Sequence, residues 1–274
     1  MTVKTLESIP QDKIIAAFNE AFSDYIIPLK FTPQLWELRS KRDRIDLASS
    51  YGYFEGDKIC GFIFHGAAPG IWYNGGTGVM PSKRGAGITK EIYKKIFEDA
   101  PKRAVKEMRL EVITTNTRAK KIYEDIGFKI SRELVCFKGN TDLQPVDGIL
   151  VKENNEYLWD TLEPFWEYAP AWQLNKDAVA QIKPNLILAE AFDGGKKAGY
   201  IIYNPSLKQI MQFAADKNNA REKVFTALFK YIQDKFSPEI SISNIDSRAE
   251  QSLDFVKKAG LKETIRQYEM VLKL

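Results

Sequence analysis

One stretch of the chain has residue types and spacing suited to anion chemistry: VMPSKRGAGITKEIYKKIF, residues 79–97. Pro81 lacks the N–H a sheet ladder needs, so a strand ends before it. Gly85 and Gly87 permit positive φ and carry no Cβ to hold a ligand away. Apolar residues at helical spacing then predict a helix entered at Ile88. The N–H groups of its first turn point outward without partners and, with the helix dipole, make an anion site. Lys83 and Arg84 add positive charge, and Thr89 adds a hydroxyl. The spacing fits neither a P-loop nor a dinucleotide-binding loop.

Other reactive side chains are few. The single histidine, His65, lies in the apolar run CGFIFHGA and reads as a buried strand residue rather than a catalytic base. Cys60 and Cys136 lie in similar runs and read as buried, inert thiols. With no Cys/His cluster, no metal site is expected.

The loop needs elements to hold it. Helices are expected over 11–24, with Ile14, Ala17, Phe18 and Phe22 on one face, and over 32–44, with Thr32 as N-cap and Pro33 in the first turn. SYGYFEG and KICGFIFHG read as strands joined by a turn at Gly56-Asp57. GIWYNGGTGVM is a third strand, and MRLEVIT follows the helix that begins at Ile88. A helix over TRAKKIYEDIG closes on Gly127, and FKISRELVCFKG is the last strand of this half. The order is ααβββαβαβ, an α/β (α+β) mixed sheet with helices on both faces.

The pattern then recurs. EGDKICGFIF at 55–64 matches DGGKKAGYII at 193–202, and REKVFTALFKYIQDKF supplies a helix equivalent to residues 88–97. The polar stretch 139–148 reads as a linker. We expect domains at 1–140 and 150–274, joined by 141–149, two copies of one fold. The second copy has ADKNNAREK in place of PSKRGAGIT, and Val256 in place of Tyr123, so the chemistry is expected in the first half alone. Trp159, Trp166 and Trp172 fall among helically spaced apolar residues and read as core.

The sequence GVMPSKRGAGIT followed by LEVITTNTRAKKIYEDIGF resembles the GNAT superfamily of N-acetyltransferases. The superfamily's phosphate motif, [Q/R]-x-x-G-x-[G/A], falls on Arg84, Gly87 and Thr89, with Thr in place of the last small residue. A second motif, N-x-x-A-x-x-x-Y-x-x-x-G-F, falls on Asn116, Ala119, Tyr123, Gly127 and Phe128. The whole is similar to tandem GNAT proteins with a degenerate second domain. The resemblance implies two mostly antiparallel sheets, each with a splayed parallel strand pair, and acetyl-CoA as co-substrate without a metal. In the first domain, backbone at Gly78, Val79 and Met80 would pair with the pantetheine arm, and the Val79 N–H would polarise the thioester carbonyl. The loop Arg84, Gly85, Ala86, Gly87, Ile88 and Thr89 would hold the pyrophosphate. Asn116 either contacts the pantetheine or caps its helix. Tyr123 would protonate the leaving thiolate, or else it simply packs. Glu111, which alternates with Leu110 and Val112, is the candidate base acting through a water. Asp24 and Tyr25 fall where this fold walls the acceptor pocket. Each of these three also reads as a solvated or capping residue, and some GNAT enzymes rely on positioning of the amine.

The bulk properties agree with such a protein. The chain has 274 residues, 44% hydrophobic and 28% charged, as a soluble globular protein would. Its formal net charge of +4, with Lys and Glu interspersed, is not a nucleic-acid footprint but suits a single small polyanion. No apolar run approaches the ~20 residues of a membrane span. The N-terminus lacks the apolar core of a secretory signal, and a cytoplasmic setting is expected. The acceptor is expected to be a small-molecule or peptide amine, and the protein a monomer or homodimer. The competing reading is a non-catalytic acetyl-CoA-binding regulator or scaffold.

Overall fold

A computed structural model describes residues 1–25, 30–217 and 221–274. The chain divides into two compact units, the first comprising residues 1–131 and 269–274, the second residues 132–268.

The first half runs β1 (Thr2–Thr5), α1 (Gln11–Ala21), α2 (Pro33–Asp43), β2 (Tyr51–Glu55), β3 (Lys58–Ala68), β4 (Ile71–Val79), α3 (Ile88–Asp99), β5 (Glu107–Ile113), α4 (Thr117–Ile126) and β6 (Lys129–Asn140). The second half repeats that order: β7 (Ile149–Asn154), α5 (Trp159–Leu162), α6 (Lys176–Ile182), β8 (Ile187–Asp193), β9 (Lys196–Asn204), β10 (Gln209–Ala215), α7 (Arg221–Lys235), β11 (Glu239–Asp246), α8 (Glu250–Lys258) and β12 (Lys262–Lys273). The two glycine turns named from the sequence correspond, Gly56 at φ 58° and Gly194 at φ 54°.

Local chemistry explains several boundaries. The Thr32 hydroxyl accepts from Leu35 N at 3.3 Å, with Pro33 in the first turn of α2. Gly127 closes α4 at φ 113°. The first strand, TVKT, was not expected; its four residues carry too little alternation to stand out, and it forms by antiparallel pairing with β2. In the first unit α1 lays Ile14, Ala17, Phe18 and Ala21 on Phe62 and Phe64 of β3, with Trp36 from α2 completing the core. The second unit has its own core, in which Phe225, Phe229 and Ile232 of α7 cover Phe213 and Ile242.

The sheet of the first unit runs β1-β2-β3-β4-β5 and ends in residues 269–274 of β12. Leu274 N donates to Lys106 O at 3.0 Å, and Lys273 pairs with Glu107. The sheet of the second unit runs β7-β8-β9-β10-β11-β6, with β6 antiparallel to β11 from Asn140↔Glu239 to Leu134↔Asp246. The units therefore do not follow the boundaries expected at 140 and 150. A strand belongs to the sheet that satisfies its N–H and C=O groups, not to its nearest chain neighbours.

Candidate active site

The site begins with a defect in β4. Along β3 the register passes from His65↔Asn74 to Phe64↔Gly76, so Gly75 is one residue too many, a β-bulge. Asn74 Oδ1 accepts from Gly76 N at 3.0 Å, and Arg39 Nη2 donates to Gly75 O at 2.7 Å, fixing the bulge from two sides. The bulge bends β4 away from β5. The two pair in parallel from Ile71↔Glu107 to Asn74↔Leu110, and among the described residues the pairing stops there. This is the splayed pair that the resemblance implied.

Beyond the bulge the ladder with β3 continues. Met80 N donates to Cys60 O at 3.0 Å, opposite Val79↔Gly61 and Gly78↔Phe62. Alternation in an antiparallel ladder then turns the Val79 and Thr77 N–H groups towards the gap, and those of Gly78 and Met80 towards β3. Of the three residues expected to pair with pantetheine, Val79 thus faces the gap with its amide. Gly78 has another reason to be glycine: a Cβ there would lie 2.4 Å from the Phe62 ring.

After Met80 a single turn, Pro81–Lys83, leads into the loop. Gly85 and Gly87 adopt φ 89° and 76°, and α3 begins at Ile88 with no side chain capping it. The first intrahelical bond is Glu91 N to Gly87 O, 3.1 Å. A Cβ on Gly87 would meet nothing within 4 Å, so the first-turn amides open onto free space. That space is a cavity of about 550 Å³ reaching from Phe22 and Tyr25 to Thr77, Val79, Thr89 and Tyr123. Asp24, Gly78, Arg84, Gly85, Gly87, Ile88 and Asn116 also line it; Met80, Ala86 and Glu111 do not. Met80 is buried with its amide committed to Cys60, and Ala86 is exposed.

The loop cations have carboxylate partners. Arg84 forks onto Asp24 with two 2.7 Å bonds, and also donates to Ala21 O at 2.9 Å and Val79 O at 3.3 Å. The Arg84 bond holds the Asp24 carboxyl below the usual carboxylate range. Lys83 pairs with Glu55 at 2.6 Å. Arg118 was missed from the sequence. It lines the same cavity with Nη2 3.8 Å from where a Gly85 Cβ would lie, and it has no ion-pair partner among the described residues. The only signal for it was its place in the first turn of α4, two residues after Asn116.

Asn116 caps α4, its Oδ1 accepting from Ala119 N at 3.1 Å. Tyr123 follows on the same helix, its ring edge-on to Phe128 at 5.9 Å. Burial pushes its phenol up in pKa, and the polar side chains of Thr77 and Asn74 pull it partly back. Glu111 is not among the residues that line the cavity; it belongs to a charged cluster with Arg42 and Tyr73, where its charge and that of Asp43 help hold the Arg42 guanidinium ionised. Alternation along β5 located Glu111 relative to Leu110, but not the face on which the cavity opens. His65 is fully buried, its Nδ1 2.6 Å from Ser49 O, and burial lowers its pKa to about 4.

The second unit uses the same device to a different end. Its β10 bulges at Met211, between Ile210↔Tyr203 and Gln212↔Ile202, and among the described residues pairs with β11 in parallel only at Gln209 and Ile210. Here, among the described residues, side chains of the same unit bond across the gap. Arg221 folds back onto Ala215 O at 3.1 Å, onto Gln251 at 2.7 Å and onto Glu167 at 3.1 Å. Glu167 in turn accepts from Gln251 N and Ser252 N, both at 3.1 Å, capping α8 in place of the absent Asn. Trp166 Nε1 donates to Tyr200 Oη at 2.5 Å, which donates to Gln212 Oε1 at 2.7 Å. Beside them, among the described residues, lies a cavity of about 10 Å³. Residues 218–220 of the counterpart loop ADKNNAREK lie outside the described residues.

Residues 13–128 match the acetyltransferase (GNAT) family, and the first unit is a GNAT domain. The chain as a whole has the tandem GNAT fold. It superposes on a tandem GNAT protein from the clavulanic acid biosynthesis pathway with a TM-score of 0.69 and 11% identity, over 99% of this chain and 98% of that one. A GCN5-related N-acetyltransferase from Sphaerobacter thermophilus gives 0.72 and 14%, over 99% and 95%. A Pyrococcus horikoshii protein assigned as an acetyltransferase gives 0.71 and 15%, over 100% and 89%. At these identities the likeness is one of fold. No curated protein matches the sequence. Among the described residues no helix is long and apolar enough to cross a membrane, and no three His, Cys, Asp or Glu gather as a metal site.

Proposed function

We propose that the first unit transfers an acetyl group from acetyl-CoA to a primary amine, by direct attack in a ternary complex. One observation carries the reading: a single cavity joins the uncapped first turn of α3, the Val79 edge of the bulged strand and the Tyr123 phenol. The α3 amides, with Thr89 and Arg118, bind the pyrophosphate. The Val79 N–H receives the carbonyl oxygen as negative charge grows on it. The amine nitrogen bonds to the carbonyl carbon, the carbon–sulfur bond breaks, and sulfur takes the Tyr123 proton. The nitrogen gives its surplus proton to water. Glu111 is outside the cavity, so the rate rests on holding the amine beside the thioester.

The Phe22–Tyr25 side of the cavity takes the acceptor, a small-molecule or peptide amine. The second unit is a non-catalytic partner domain. Cys60 and Cys136, buried and unbridged, support a reducing, cytoplasmic setting.

The test is thiol release from acetyl-CoA across a panel of amines, with Tyr123→Phe in parallel. Turnover lost in Tyr123→Phe with acetyl-CoA affinity retained supports the enzyme. Acetyl-CoA binding without turnover on any amine would instead establish a non-catalytic regulator or scaffold. No heat with either CoA or acetyl-CoA removes both.

A further inference from the structure

Arg84 belongs to the loop expected to grip the pyrophosphate, yet its hydrogens are committed elsewhere. A guanidinium carries five N–H donors in a fixed fork. Nε gives its hydrogen to Val79 O at 3.3 Å, and Nη1 gives one to Asp24 Oδ2 at 2.7 Å. Nη2 gives one to Asp24 Oδ1 at 2.7 Å and one to Ala21 O at 2.9 Å. Four of the five are thus bonded within the protein. Val79 is the last residue of β4, Ala21 is the last of α1, and Asp24 lies three residues past that helix end. A cation there satisfies a carbonyl the helix leaves open and meets the negative end of its dipole. Arg84 and its three partners all line the cavity.

The second unit builds the same tie from another position. Arg221 donates to Ala215 O at 3.1 Å and to Phe165 O at 3.5 Å, and pairs with Glu167 at 3.1 Å. Ala215 is the last residue of β10, Phe165 is the last of the helical turn after α5, and Glu167 lies two residues past it. In each unit one arginine joins the end of the bulged strand to the end of a helical segment and to a carboxylate just beyond. The second unit keeps this tie with no glycine in its loop and Val256 in place of Tyr123, so the tie needs no bound anion to account for it. What differs is where the arginine enters. Arg221 stands at the Gly87 place, whereas Arg84 stands three residues ahead of it, and the first-turn amides of α3 stay open.

We infer that Arg84 is a positioning residue for the acceptor rather than a pyrophosphate ligand: it sets the span between the Val79 edge and the Phe22–Tyr25 wall, and so selects amines by their bulk. Its chemical use rests on the proposed acetyl transfer; its geometry does not. Asp24 is the other half of the clasp and acts through Arg84. Holding an amine beside a thioester is sensitive to displacements of about 1 Å, so a slack wall should cost acceptor turnover and leave cofactor binding alone.

The experiment uses Arg84→Ala, Asp24→Ala, the double variant and Arg84→Lys in the full chain. The two side chains are 32% and 53% exposed, so these variants should fold. Each single alanine variant should lower kcat/KM for the amine at least tenfold, and the double should be no worse than either single. Arg84→Lys keeps the charge but not the fork and should resemble Arg84→Ala. The preference for a compact amine over its branched homologue should fall at least threefold, while the acetyl-CoA Kd by calorimetry stays within threefold. A tenfold weaker acetyl-CoA Kd in Arg84→Ala, recovered in Arg84→Lys and absent from Asp24→Ala, would make Arg84 a phosphate ligand and overturn the inference. Additive losses in the double variant would overturn it too. Hydrogen exchange in the free protein reads the clasp without turnover: the Tyr25 amide, which donates to Phe22 O at 3.1 Å, should exchange at least tenfold faster in both alanine variants. Unchanged exchange sinks the clasp. Faster exchange in a protein that turns over no amine removes the transferase reading and leaves the clasp standing.

Discussion

The two halves of the chain run the same ten elements and bulge the same strand, yet the first leaves a cavity beside its bulge while in the second, among the described residues, side chains of the same half bond across the corresponding space. The bulge alone therefore does not make a site. In the first unit, Asn116 caps α4 from within the helix and leaves the space between Val79 and α4 free. In the second, Ala249 stands in the Asn116 position and Glu167 caps α8 from outside, drawing Arg221 and Trp166 into the gap. One cap residue separates a helix that serves itself from one that must borrow a carboxylate. The difference teaches that loss of a site in a duplicated fold is a matter of satisfying the exposed amides some other way.

The largest expected effect tests the open unit. Tyr123→Phe should lower kcat by about 100-fold or more, the usual contribution of a general acid, without loss of acetyl-CoA affinity. A fall of less than threefold would make the two units chemically alike.

Next comes the closed unit. Glu167→Ala removes the carboxylate from Arg221, whose side chain is 9% exposed, and uncaps α8. Breaking a buried pair by removing one partner costs about 3 kcal/mol. Chemical denaturation should show that loss, and calorimetry should detect no gain of acetyl-CoA binding, since the second half has no glycine in its counterpart loop and has Val256 in place of Tyr123. Loss of less than about 1 kcal/mol would mean the closure is not held by this ion pair.

A pH effect that begins near 6.5 should fall on the first unit, because the one histidine lies there. The His65 imidazole titrates near 6.5 in the unfolded chain and at about 4 when folded. Between those values the unfolded state binds the extra proton, so stability is full above pH 6.5 and declines as pH falls towards 4. The shift is worth up to about 3 kcal/mol. Unfolding followed by hydrogen exchange should find the first unit weakening over that range and His65→Gln lacking the slope.

The smallest effect would make the first unit resemble the second. Asp at position 87 tolerates positive φ and can cap the α3 amides with its own carboxylate. Gly87→Asp should weaken acetyl-CoA binding about tenfold, or about 1.4 kcal/mol, with little change in Tm. Unchanged affinity would place the pyrophosphate elsewhere.

The sequence made much of this legible where the signal was local. Pro81, Gly85 and Gly87 located the loop and the start of α3, and the spacing from Asn116 to Tyr123 located α4 on the same site. The repeat was visible in the glycine turns and in helix order. What failed was set by partners far away in the chain. Arg84 is tied to a carboxylate 60 residues before it, Glu167 reaches α8 across more than 80 residues, and β1 is a strand only because β2 pairs with it. Asn74 and Thr77 escaped notice because the bulge at Gly75 breaks the period of two that a strand reading assumes. Alternation set Glu111 opposite Leu110 and Val112 but carried no information on which residues line the cavity, and Glu111 is not among them.

The membership of β12 bears on how the protein is made. Residues 269–274 flank β5, more than 150 positions earlier in the chain, and no shorter-range strand takes that edge within the first unit. During synthesis the domain that carries Tyr123 must wait, one border of its sheet bare, until nearly all of the second repeat has left the ribosome. A contact of such separation slows folding and lengthens exposure to misassociation. Truncation after residue 140 would deny the first unit its last strand, so the two repeats are inherited as one folding problem although they look like two.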